Sequence, residues 1–127
     1  MAVDPAAFVR AVQAEVLPTQ RNWTRHADLL EDSLSRLDAL WRQVRVAAAS
    51  EKKKEVVRAR EAVAMLAVPR WMYRSALART ETCGMSWRAD HSAADPAQRQ
   101  RLLSGWLDEV WVTRHAMGNE IRKDLAA

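Results

Sequence analysis

Leu30-Glu31-Asp32-Ser33-Leu34-Ser35-Arg36-Leu37-Asp38-Ala39-Leu40-Trp41-Arg42-Gln43-Val44 is the stretch that decides the fold. Leu30, Leu34, Leu37, Trp41 and Val44 recur in alternating steps of four and three, the spacing that brings side chains back to one stripe of an α-helix. Asp28, Glu31, Asp32, Arg36 and Arg42 mostly fall on other faces. A stripe this narrow suits a helix packed lengthwise on another. The pattern predicts a helix over about 25–47, and it fades at Ala47-Ala48-Ala49-Ser50.

Helical signals lie on both sides. Upstream, Asp4-Pro5 is a helix start: the carboxylate can accept backbone N–H bonds, and proline at the first turn gives up a donor that had no partner. Phe8, Val9, Val12, Val16 and Leu17 form its apolar stripe, and Pro18 ends a helix over about 5–17. Thr19 to Thr24 reads as a joint, with Trp23 expected to pack inward. Downstream, Ser50 is a candidate cap, with Glu51 at the positive end of the longest helix, 51–83. That helix would measure about 45 Å at the usual rise per residue. Val56, Ala59, Val63, Leu66, Tyr73 and Leu77 share one side, flanked by Ala62, Met65, Met72 and Ala76. Pro69 is predicted to kink or split it. Gly84 then offers the left-handed residue that commonly stops a helix.

Asp95-Pro96 repeats the cap-plus-proline start and predicts a short helix over 96–104, interrupted by Gly105. The tail reads two ways. Val110-Trp111-Val112 favours strand, with Gly118-Asn119 turning a hairpin from Leu107–Thr113 back into Glu120–Leu125. One more helix would use the same residues; the hairpin is the favoured reading. The predicted fold class is all-α. Residues 1–127 form one domain, a three-helix antiparallel bundle with a loop after the longest helix and a short C-terminal tail.

Composition excludes more than it assigns. The chain has 127 residues, 49% hydrophobic and 28% charged, the balance of one ordinary folded domain. The net charge is +4, but the one basic run, Lys52-Lys53-Lys54, lies between Glu51 and Glu55, so it reads as a solvated helix face and no nucleic-acid partner is expected. Cys83 is the sole cysteine, and His26, His91 and His115 lack helical ligand spacing, so no metal site is expected. No apolar run approaches the roughly 20 residues that span a bilayer. A reducing, cytoplasmic setting is the expectation. The chain also lacks a glycine-rich phosphate loop and a paired catalytic histidine and acid, so no catalytic residue is assigned.

The candidate site lies in Ala78-Arg79-Thr80-Glu81-Thr82-Cys83-Gly84-Met85-Ser86-Trp87-Arg88-Ala89-Asp90-His91. A charged cluster on a loop can serve binding, or it can be a loop held together by its own ion pairs; the residues alone favour neither. Cys83 at a helix C-terminus, with no neighbouring base, is a poor nucleophile. Six tryptophans are more often core or interface anchors than a ligand cage, and Trp71 and Trp87 beside the loop are candidate interface anchors.

This loop resembles the Arg-x-Glu-Ser-Arg-Gly-x-His-x-Arg-x-Asp signature near the C-terminus of succinate dehydrogenase and fumarate reductase flavoproteins, a group that includes aspartate oxidases and adenylylsulfate reductases. Arg79, Glu81, Gly84, Arg88 and Asp90 occupy the matching positions. Thr82 replaces the family Ser, Cys83 its Arg and Ser86 its His, and His91-Ser92 stands where a Pro usually closes the motif. Losing that Arg removes a charge and a planar fork of donors. Phe8 to Val46 resembles the opening helical pair of the family's C-terminal domain, Val57 to Ala78 the helix before the signature, and Val110 to Leu125 the terminal strand segment. The resemblance implies a C-terminal domain, either a piece of the parent or a stand-alone derivative. Such a domain packs on an FAD-binding domain, carries no active site of its own and binds no cofactor alone, with FAD belonging to the parent. Arg79, Glu81, Arg88 and Asp90 would fix the loop and contact the flavin domain, and Gly84 would make the turn. Apolar surface left uncovered could make the isolated domain dimerise. The alternative is a stand-alone protein–protein interaction module.

Overall fold

The computed structural model describes residues 4–47 and 53–115. In chain order the elements are α1 (Pro5–Val16), α2 (Thr19–Asn22), α3 (Ala27–Ala47), α4 (Lys53–Ala78), a 3-10 turn (Pro96–Gln98), β1 (Arg101–Gly105) and β2 (Trp111–His115). The molecule is mostly helical but not purely so, because β1 and β2 pair as a two-stranded antiparallel sheet.

The three long helices form the bundle. Asp4 caps α1 as expected, accepting from the N–H groups of Ala6 at 3.1 Å and Ala7 at 3.3 Å. Glu15, near the end of α1, meets Arg36 in the first half of α3, and Asp38 of α3 meets Arg70 and Arg74 late in α4. α3 therefore runs antiparallel to α1 and α4, which run the same way. The stripe Leu30, Leu34, Leu37, Trp41 and Val44 is buried throughout, against Phe8 and Val12 of α1 and Leu66, Tyr73 and Ala76 of α4. Burying each large apolar side chain contributes about 1.5–3 kcal/mol, which makes this stripe the main source of cohesion.

α4 runs unbroken through Pro69. Proline inside a helix removes one hydrogen bond and costs about 3 kcal/mol. Burial of Leu66, Ala67, Arg70 and Tyr73 around it offsets that cost. Met65, whose carbonyl loses its donor, lies on the exposed face, where water can replace it. Of the stripe expected on this helix, Leu66 and Tyr73 are fully buried, Val56, Ala59, Val63 and Leu77 are half-buried, and Met65 and Met72 are exposed.

Three further expectations are corrected. α4 stops at Ala78, not at 83, because groups from the following loop take its last carbonyls. The helix expected over 96–104 is a 3-10 turn followed by a strand: three residues are too few to nucleate a helix, and Arg101–Gly105 gains a full ladder by pairing with Trp111–His115. A hairpin that was not expected thus forms, in register Arg101↔His115 to Gly105↔Trp111; the Gly118-Asn119 turn and the return strand expected over 120–125 fall outside the described residues, as does the Ser50 cap. Trp23 does not pack inward; it is 60% exposed, and the joint containing it is closed instead by Asn22, which donates to the Val16 carbonyl at 3.0 Å.

The hairpin is fastened to the second half of α4. Arg70, 2% exposed, donates to the carbonyls of Leu107 and Asp108, pairs with Asp38 at 2.7 Å and stacks on Trp41. Trp71 Nε1 donates to the Trp106 carbonyl at 2.7 Å, and Trp41 Nε1 to Asp108 at 3.0 Å. These bonds hold Trp106 at φ 71°, a left-handed backbone that a bulky residue rarely adopts. A Cβ at Gly105 would stand 2.7 Å from the Trp111 indole, so a larger residue there must displace that half-exposed ring.

Candidate functional site

The loop from Arg79 to Asp95 crosses the end of the bundle where α4 stops and α3 begins. Arg88, buried to 2%, is its centre. Its Nη1 donates to the carbonyls of Ala76 (2.9 Å), Leu77 (3.2 Å) and Arg79 (2.8 Å), which the end of α4 leaves without partners. Its Nε and Nη2 grip both oxygens of Asp90 at 2.8 and 2.7 Å. Asp90 in turn accepts from the Ala27 N–H at 3.2 Å, the first turn of α3. A cation thus closes the negative end of one helix and an anion the positive end of the next. The Arg88 guanidinium holds the Asp90 carboxyl well below the usual carboxylate range; partial burial opposes this and the Ala27 N–H adds to it.

A second pair stands beside the first. Glu81, also 2% exposed, accepts from Arg79 Nη1 at 2.6 Å and from the Asp95 N–H at 2.8 Å. The Asp95 N–H chiefly, then Arg79, lowers its carboxyl. Arg79 also reaches the carbonyls of Gln98 (3.1 Å) and Gln100 (2.8 Å), leading the chain into β1. Thr82 completes the loop: its hydroxyl accepts from the Arg88 N–H at 2.9 Å and donates to the His91 carbonyl at 2.8 Å.

The structure therefore brings Arg79, Glu81, Arg88 and Asp90 together. It does so as two internal ion pairs, so the loop is held by its own charges. Gly84 is not the helix stop. It lies at φ 56° as the first central residue of a two-residue turn between Cys83 and Ser86, whose backbones exchange two hydrogen bonds. Glycine reaches that left-handed backbone at little cost. Cys83 is exposed on the turn, five residues past the end of α4. Trp87 is 48% exposed, whereas Trp71 is partly buried and bonded to Trp106.

Sequence reasoning missed Arg70 and Asp38, and also Arg25. The signal for Arg70 was its place between Leu66 and Tyr73 on the inward arc of α4, where an arginine is expected to be paired if buried. A third charged cluster joins α1 to α3: Glu15 is buried and raised by that burial, but bonds from Arg36 (2.5 Å) and nearby Ser33, with the charges of Arg36 and Arg21, lower it overall. Among the described residues no group of three His, Cys, Asp or Glu side chains is placed to hold a metal, and no helix is long and apolar enough to cross a membrane.

A helical bundle with a small hairpin fastened to its longest helix, and a loop closed on itself by two arginine–carboxylate pairs, is the class these features define. The family described as "Fumarate reductase flavoprotein C-term" matches residues 13–124, and the chain belongs to that family. No curated protein and no solved structure matches it.

Proposed function

We propose that this domain is a scaffold and docking surface for the flavin-binding domain of an FAD-dependent oxidoreductase of the succinate dehydrogenase and fumarate reductase type, and that it carries no active site of its own. The observation that supports this best is the use made of the signature: Arg79, Glu81, Arg88 and Asp90 each have partners inside the chain, so none is left to handle a substrate. The described residues also do not fit a flavin. Such cofactors are held by a glycine-rich turn between a strand and a helix N-terminus, and Gly84 and Gly105 lie instead in a loop turn and a strand. FAD would belong to the partner domain, and a cytoplasmic setting accords with a single, exposed thiol.

Mixing the purified chain with an FAD-loaded flavin-binding domain of an oxidoreductase of this type tests this. A stable yellow complex on size exclusion is expected. Separate elution, or flavin absorbance in the purified chain alone, would overturn it. The exposed indoles of Trp87, Trp106 and Trp111 favour a second reading, an independent interaction module, which predicts association with a protein that contains no flavin.

A further inference from the structure

Arg25 is the exception among the arginines that the fold withdraws wholly or partly from water. Arg21, Arg70, Arg74, Arg79 and Arg88 each have a carboxylate within ion-pair distance. Arg25 has none among the described residues. Its Nη2 donates at 3.2 Å to the Asn22 side-chain oxygen, a neutral acceptor, and its Nε is buried with no partner. Arg88 stands close enough to oppose its charge, and Arg88's own carboxylate, Asp90, is fully engaged. A partly buried guanidinium without a counter-charge is costly, and an anion brought to it relieves that cost.

Arg25 lines a groove of about 390 Å³. Val68 and Met72 of α4 line it, with Ser86 of the signature turn and Leu102 of β1. Arg79 is the other cation there, and no carboxylate lines the groove. Val68 is 47% and Met72 41% exposed, and Trp87 and Met85 next to Ser86 are 48% and 86% exposed. A small free anion would answer Arg25 but leave these apolar side chains in water. A polypeptide surface that pairs an acidic side chain with apolar neighbours would answer both.

We propose that this groove is where the flavin-binding domain docks, with an acidic side chain of that domain set against Arg25 and apolar residues on Val68 and Met72. This rests on the function proposed above and adds the location and chemistry of the contact.

The test is titration of the 127-residue chain with an FAD-loaded flavin-binding polypeptide, for wild type, Arg25→Glu, Arg25→Lys, Val68→Glu and, as a control on an exposed arginine that does not line the groove, Arg99→Glu. Circular dichroism establishes that each variant is folded. Arg25→Glu is expected to weaken association at least about tenfold. Arg25→Lys should weaken it less, Val68→Glu comparably to Arg25→Glu, and Arg99→Glu not at all. Val68 is exposed, so its variant keeps the test decisive if Arg25→Glu fails to fold. Wild-type binding with folded Arg25→Glu or Val68→Glu binding equally well overturns the groove while leaving the proposed function standing. No association of the wild type overturns the proposed function itself. Acetate binding at Arg25 with no effect on association of the polypeptide would show a free-anion site and would also overturn the docking assignment.

Discussion

Arg88 and Asp90 form one two-pronged ion pair whose halves close different helices: the guanidinium takes the last carbonyls of α4, and the carboxylate takes the Ala27 N–H of α3. A loop residue pair thereby fixes the distance between the end of one helix and the beginning of another.

Removing the cation should do more damage than neutralising the anion. Arg88→Ala leaves Asp90 and three carbonyls without their donor in a buried place and is expected to cost about 3–5 kcal/mol. Asp90→Asn keeps shape and one acceptor and is expected to cost about 1–3 kcal/mol. Urea unfolding of both, with the double variant, measures the coupling. Additive losses would show that the pair does not act as a unit.

Acid should unfold the domain through its paired carboxylates. Asp90, Glu81, Asp95 and Glu15 are all held below their ordinary values in the folded state. A depressed carboxyl stabilises the fold above its unfolded pKa and loses that contribution as pH falls through the folded one. Stability should therefore be level from neutral pH down to the ordinary values of 4.5 for Glu and 3.8 for Asp and fall below them. Asp90→Asn should flatten the lower part of that fall. An unfolding midpoint that declines between pH 7 and 5 would point to other groups.

Pro69→Ala restores a helix donor to the Met65 carbonyl but gives up buried volume and the proline's restraint on the unfolded chain. Against the roughly 3 kcal/mol cost of an interior proline, the net expectation is a gain of about 1 kcal/mol. Thermal unfolding checks it, and a loss would mean that the ring's packing outweighs the missing bond.

Trp106→Asn tests the strained loop. At φ 71° asparagine is at ease where tryptophan is not, and the indole is 69% exposed, so little packing is lost. A stability gain of about 0.5–1 kcal/mol is expected in urea unfolding. A loss would mean that the indole makes contacts stronger than its exposure implies.

The bundle was legible because α3 announces itself: steps of four and three put Leu30, Leu34, Leu37, Trp41 and Val44 on one face, and nothing in the tertiary structure overrides them. The end of α4 was not, because Ala78 stops the helix through Arg88, ten residues further on, and not through a local glycine. The β1–β2 hairpin was not legible for a similar reason. Leu102 and Leu103 suit helix or strand alike, and Arg70 and Trp71, more than thirty residues earlier, decide the matter by holding the carbonyls of residues 106–108. The signature residues were legible as a set through the family resemblance, but their partners were not. Ala27, Asp95, Gln98 and Gln100 all meet the signature side chains through backbone N–H or carbonyl groups, which no side-chain pattern announces.

The turn that Gly84 makes possible has a practical consequence. It carries the protein's sole thiol outward on Cys83, back to back with Ser86, which borders the Arg25 groove. A dye attached there needs no engineered cysteine and would report arrival of a neighbour directly, whereas unprotected storage in air invites the same sulfur to cross-link two molecules.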